Sequence, residues 1–309
     1  MNRREFCSAL GLVWATSGWA AGQRGNNPTE PMLAGAIDIH VHSYPDDRPR
    51  SIDAIDVTRL ARSRGMRAIV LKNHYESTAG MAYIARKEVP GIEVFGGIDL
   101  NLTVGGINPA AVEHMTRVSG GWGRFVWMPT FDAEDAMRNS KNPNRPFVAV
   151  SRNGELLPEV KELLGVIATT KTVDSNGELV LATGHLPPEE SLLVLREAKN
   201  HGVKHMVITH ASPRWTLEQL QEAVKLGAFI EAVPGGGSFD PKKISVDKIR
   251  KLGVENYIIS SDLGQQGNPL HPDGLAMTAK WLRGEGFTEQ ELNRLMKENP
   301  ARLLGLPPP

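Results

Sequence analysis

The 309-residue chain holds one cysteine, Cys7, so an internal disulfide, a cysteine zinc cluster and a paired-thiol redox centre are all excluded. Charge of one sign is also missing, with 35 basic against 35 acidic residues. That balance gives no electrostatic support for binding nucleic acid or an anionic membrane surface. Beyond the N-terminal region, apolar runs are short and bounded by charge or glycine, so no membrane span is expected. What remains is 40% hydrophobic residues, enough to bury the core of one large domain. The expected partner is a small-molecule substrate recognised locally, and a homo-oligomer stays open.

Residues 1–22 read as a signal peptide, with basic Arg3 and Arg4, an apolar stretch from Cys7 to Ala21, and small residues at its end. The Arg3-Arg4 pair followed by Phe6 resembles a twin-arginine signal, which implies export of a folded protein to the periplasm. An N-terminal amphipathic helix in a cytoplasmic protein is the alternative. Removal of this segment takes Cys7 with it and leaves no thiol nucleophile. Residues 23–33 read as a linker.

From residue 34 to residue 309 the chain alternates short β-branched runs with longer amphipathic ones, the rhythm of a parallel sheet with helical crossovers. Eight strands are expected: Ala36–His42, Arg67–His74, Ile92–Asn101, Phe125–Asp132, Leu179–His185, Lys204–Ala211, Ala228–Pro234 and Tyr257–Gly264. Thr216 with Gln219 and Thr288 with Glu291 read as capping boxes, and Gly65, Gly202 and Gly227 as helix stops. Eight such units favour a single α/β fold, a closed (β/α)8 TIM-like barrel. An insertion at about 133–158, centred on Asn142-Pro143-Asn144-Arg145-Pro146, follows the fourth strand as a lid or a decorative loop. The glycines of Pro234-Gly235-Gly236-Gly237-Ser238 read as an anion-binding backbone or a plain turn.

Alternate side chains of a strand share a face, so His40 and His42 aim at one point, where a divalent metal would sit. In a barrel the C-terminal strand ends form the active-site face. His74, His185, His210 and Asp262 fall at the ends of the second, fifth, sixth and eighth expected strands. His201 and His205 fall at the opposite end and read as surface residues.

The order of HxH, His, His and Asp on strands one, five, six and eight resembles the metal-dependent amidohydrolase superfamily. The C-terminal run Glu298-Asn299-Pro300-Ala301-Arg302-Leu303-Leu304-Gly305-Leu306 resembles the helix that follows the barrel in many members. The resemblance implies that His40, His42 and Asp262 hold one metal, while His185 and His210 hold a second or orient the attacking water. Imidazole and carboxylate suit Zn²⁺, with Mn²⁺ and Fe²⁺ as alternatives. For each of these residues a structural role is the competing reading.

Many binuclear members place a bridging lysine or glutamate at the end of strand four, whereas this chain offers only Asp132 there. Lys72 on strand two, sharing a face with His74, is the preferred bridge. A carboxylated lysine is one form; an unmodified Lys72 that polarises substrate, or a structural ion pair, are the others. His74 reads as a donor to a substrate oxyanion or as an outer support. Asn268 and His271, in the polar stretch after strand eight, read as substrate contacts or as solvated loop. The implied reaction is hydrolysis of an amide, cyclic amide, lactone or ester, with Asp262 accepting the proton of the attacking water. A phosphoesterase and a non-catalytic metal- or ligand-binding barrel are the other expectations.

Overall fold

A computed structural model describes residues 32–309 apart from 212 and 236. The expected signal peptide lies outside the described residues. Eight parallel strands pair in sequence order: Ile37–Val41, Ala68–Leu71, Glu93–Asp99, Gly123–Trp127, Val180–Ala182, His205–Ile208, Ala228–Ala232 and Tyr257–Ile259. Strands one and eight meet at a seam, where Asp262 N–H donates to His40 O at 3.0 Å and His42 N–H to Leu263 O at 2.9 Å. The result is the (β/α)8 barrel expected from the alternation of apolar runs.

Seven strands lie inside the expected runs, and the fourth starts earlier, at Gly123. A Cβ there would come within 2.5 Å of Met115 Cγ, so glycine lets the strand pass beneath helix Pro109–Thr116. Most strands also end sooner than their β-branched composition suggests. His74, His185, His210 and Asp262 stand two or three residues past the last paired residue of their strands, on backbone already turning into loops.

The helices begin and end where local chemistry dictates. Asp53 accepts from Asp56 N–H at 2.8 Å to start Ala54–Ser63, and Thr216 with Gln219 closes a capping box on Leu217–Leu226. Gly202 and Gly227 end their helices in the left-handed conformation.

Two apolar layers follow from the two faces of each strand. Ile37, Ile39, Val70, Phe95, Phe125 and Trp127 fill the barrel interior, while Val41, Ile69, Leu71, Val126 and Leu181 face the helices. Truncating Phe125 or Trp127 to alanine would cost about 3–5 kcal/mol, because rigid neighbours cannot collapse into the void. Ala301, Leu303 and Leu304 plug the interior from below, and Asn299 Nδ2 donates to Val254 O at 2.8 Å and Tyr257 O at 2.6 Å. A closed floor leaves the opposite end as the open mouth.

After the fourth strand the chain forms helix Glu134–Arg138 and a short hairpin of Ser151–Arg152 with Glu155–Leu156. Asp135 ties this segment to Arg214 through contacts of 2.5 and 3.2 Å. The residues that line the cavity described below include none from 133–158.

Candidate metal centre

Strand one supplies the first two donors by a change of face. Ile37 and Ile39 point into the barrel, yet His40 and His42 line the cavity while Val41 packs against the helices. The inward face therefore slips by one residue, at the register irregularity between Asp38 and Val41. Asp38 fixes the slip by accepting from His40 N–H at 3.1 Å and Ser261 N–H at 3.0 Å. Burial pushes its carboxyl up to about 6, against the pull of those donors.

His40 Nε2 and His42 Nε2 each lie 3.2 Å from Asp262 Oδ1, and all three residues are buried. The far nitrogens are held from behind. His40 Nδ1 donates to Glu231 Oε1 at 3.0 Å, and His42 Nδ1 donates to Lys72 O at 2.7 Å. Arg50 Nη2 stands 3.1 Å from His42 Nδ1, but the shorter contact to a carbonyl requires the proton on the imidazole. With both Nδ1 atoms donating, the neutral rings present Nε2 lone pairs toward the same carboxylate oxygen, and a divalent metal between them would satisfy all three, so the donor set fits such an ion.

The histidines respond to their surroundings in opposite directions. Burial opposes charge on His40, but Asp262 and Glu231 on either side outweigh it and lift its pKa. Burial drives His42, His74 and His185 well down, helped by Lys72. His210 is also lowered, burial outweighing the attraction of Asp262. These four rings are thus neutral at physiological pH, the form that ligates metal or accepts a proton. For Asp262, burial raises the pKa and the fields of His40, His210, Lys72 and His185 more than offset it, keeping the carboxylate ionised.

His185 and His210 face the same cavity with ring centroids 4.9 Å apart, and His40 to His210 is 5.9 Å. His185 is placed by Gly184, at φ +62°, where a Cβ would sit 2.1 Å from Met128 O. His210 and Asp262 themselves adopt φ +26° and +50°, strained backbone that aims both side chains at the site. His74 stacks on His42 at 4.9 Å and lies under Phe131 at 4.1 Å. Its Nδ1 is fixed by Thr130 Oγ1 at 2.9 Å, which leaves Nε2 for the cavity.

Lys72 lies behind the converging side chains, with its ammonium 3.4 Å from His74 Nδ1. Its ammonium donates to Asp99 Oδ2 at 2.8 Å, neither side chain is exposed, and Lys72 is not among the residues that line the cavity. A carbamate there would set one anion against another, so the geometry matches the ion pair and not the bridge. Asp132 accepts from Leu102 N–H at 2.9 Å and also stays outside the cavity.

Two expected substrate contacts point elsewhere. His271 is buried, and its Nε2 donates to His42 O at 2.9 Å and Leu263 O at 2.7 Å, clamping the barrel seam. Burial holds its pKa down to about 4. Asn268 joins the loops after strands seven and eight by accepting from Phe239 N–H at 3.1 Å. His201 and His205 lie far from the cavity, His205 Nε2 bonding Glu178 at 2.9 Å.

Sequence reasoning missed Glu231, the hub of the site. It accepts from His40, from His210 N–H at 2.7 Å and from the Ser260 hydroxyl, joining strands one, six, seven and eight. The signal was a lone acid inside the apolar run Ala228-Phe229-Ile230-Glu231-Ala232. Asp99 and Arg50 were missed in the same way. The cavity in front of these groups is about 780 Å³.

A family model described as a family of unknown function, DUF6282, matches residues 35–231. No curated protein sequence matches the chain. Among solved structures it is similar to an organophosphorus hydrolase from Deinococcus radiodurans, at 14% identity over 89% of this chain and 93% of that one, TM-score 0.57. A structure titled for organophosphate hydrolysis engineered from a weak promiscuous lactonase template matches at 13% identity over 89% and 97%, TM-score 0.57. A beta-aspartyl dipeptidase from Fervidobacterium islandicum AW-1, in complex with beta-Asp-Leu dipeptide, matches at 19% identity over 89% and 75%, TM-score 0.59. These likenesses show the fold: the barrel is shared with an organophosphorus hydrolase, a lactonase-derived protein and a dipeptidase.

Proposed function

The chain belongs to the family DUF6282, and from the geometry of its site we propose that it is a metal-dependent hydrolase acting on an amide, cyclic amide, lactone or ester carbonyl. One observation carries the reading: two imidazoles, each held from behind at Nδ1, converge on one carboxylate oxygen at 3.2 Å. The titles of the fold relatives, which name organophosphate hydrolysis, a lactonase and a dipeptidase, are consistent with water-activating chemistry on this barrel.

His40, His42 and Asp262 would hold the ion, Zn²⁺ or alternatively Mn²⁺ or Fe²⁺, and when bound it would supply Lewis-acid polarisation and a lowered pKa for water. Asp262 takes the proton of the attacking water and returns it to the leaving group. His185 and His210, neutral and facing the cavity, orient that water. His74 presents Nε2 to the substrate beside the ion, and Phe131 packs over its ring. Lys72 stays an ammonium that positions His42 through its own backbone carbonyl and neutralises Asp99. Among the described residues His40, His42 and Asp262 form the one group of three that converges.

Phosphoester cleavage on the same donors is the second reading, supported by the organophosphorus hydrolase relatives. Export through the twin-arginine route is proposed on Arg3, Arg4 and Phe6. The reading is tested by metal analysis of protein purified without chelator, followed by assays on lactones, cyclic amides, N-acyl amino acids and phosphoesters. Stoichiometric divalent metal and turnover lost in Asp262→Asn are expected. Absent metal, or undiminished turnover in that variant, overturns it.

A further inference from the structure

The cavity does not end at the histidines. A second wall extends over strands seven and eight toward helix Leu217–Leu226 and the segment Val246–Leu252, where Leu220, Ala232, Ile244 and Tyr257 line it. Tyr257 is 3% exposed, and its hydroxyl is buried with no hydrogen-bond partner. An unpaired buried hydroxyl destabilises a fold, and phenylalanine would fill the same space without that cost. Burial also raises the Tyr257 pKa, so the group is a neutral donor throughout the physiological range.

Two lysines line the same arm. Lys248 Nζ donates to Trp215 O at 2.8 Å, which leaves two of its three N–H groups. Lys243 Nζ donates to Ser238 O at 2.7 Å and Ser238 Oγ at 2.9 Å. Neither forms an ion pair with an acid among the described residues. Lys243 lies over Gly235, at φ +103°, where a Cβ would meet Lys243 Cδ at 2.5 Å. At the metal end the lining cations Arg48 and Arg50 are paired with Asp47 and Asp46, whereas the two lysines of the apolar arm have no carboxylate partner among the described residues.

We propose that this arm is a carboxylate subsite, in which the Tyr257 hydroxyl and the Lys248 ammonium bind an anionic group at the end of the substrate remote from the scissile bond. Tyr257 opens strand eight and Asp262 lies three residues past its end, and Leu220, Ala232 and Ile244 line the arm, so an apolar spacer separates the anion from the metal. The substrate class is then an ester, lactone or amide carrying a free carboxylate. The identity of the bond cleaved rests on the hydrolase reading; binding in the arm does not.

Calorimetry with hexanoate and its uncharged counterpart hexanamide tests this on the wild-type protein, Lys248→Met and Tyr257→Phe. Hexanoate is expected to bind the wild type about tenfold tighter than hexanamide, a preference lost in Lys248→Met and reduced to about threefold in Tyr257→Phe. Tyr257→Phe is also expected to melt at the same or a higher temperature, which separates ligand recognition from a packing role. The preference should survive treatment with chelator. Absent binding, equal binding of the two probes, a preference that persists in Lys248→Met, or one that vanishes with chelator each overturns the proposal. Because no readout uses turnover, a failed hydrolase assay leaves this result separately legible.

Discussion

Lys72 Nζ lies 2.8 Å from Asp99 Oδ2, with both side chains fully buried on neighbouring strands behind the metal donors. The pair is a cation and an anion in contact in a medium where neither could stand alone, with Thr130 Oγ1 also donating to Asp99 Oδ2 at 3.1 Å.

Lys72→Met therefore leaves an uncompensated buried carboxylate and is expected to destabilise the fold by about 3–5 kcal/mol in urea denaturation. Replacing both partners, as Lys72→Met with Asp99→Leu, should recover more than half of that loss. A carbamate resonance in ¹³C spectra after exposure to labelled bicarbonate would count against the ammonium reading.

Glu231→Gln weakens the acceptor that orients His40 and braces His210. Metal affinity, measured by competition with a chromophoric chelator, is expected to fall roughly 10–100-fold while the fold persists. An unchanged affinity would mean that Glu231 only packs the seam.

His271→Ala removes one N–H shared by two buried carbonyls at the barrel seam. A stability loss of about 1–3 kcal/mol with KM within twofold of wild type is expected. A large rise in KM at unchanged stability would return His271 to substrate contact.

At the floor of the barrel, Glu178 accepts from Lys171 at 2.5 Å, Lys204 at 2.7 Å and His205 at 2.9 Å. Those donors, Lys171 foremost, hold its pKa down to about 2 from 4.5. A carboxyl depressed on folding binds fewer protons folded than unfolded between these values, so its contribution is full above about pH 4.5 and lost as pH falls to about 2. The stability gap between wild type and Glu178→Gln, read by urea titration, should be constant above pH 5 and close progressively below it.

The positions of the eight strands and the identities of His40, His42, His185, His210 and Asp262 as a converging set were legible in the sequence, because strand composition and strand-end placement are local properties. Glu231 was not, since nothing in Ala228-Phe229-Ile230-Glu231-Ala232 says that its carboxylate will meet a histidine 191 residues away. The ion-pair partner of Lys72 was not legible for the same reason: Asp99 comes from the next strand, and only adjacency in space brings the two together. His271 looked like a loop residue because its donors' targets, His42 O and Leu263 O, exist only once the barrel closes.

Sequence alone thus determined the barrel, through the period of its apolar runs, and the chemical types available at its rim. Tertiary structure decided which of those groups converge as candidate metal donors, which brace them from behind and which clamp the seam. The slip of face on strand one shows the physical reason: a one-residue irregularity, fixed by Asp38 against Ser261 from strand eight, turns His40 and His42 into the cavity. No local rule of alternation encodes a hydrogen bond 223 residues away.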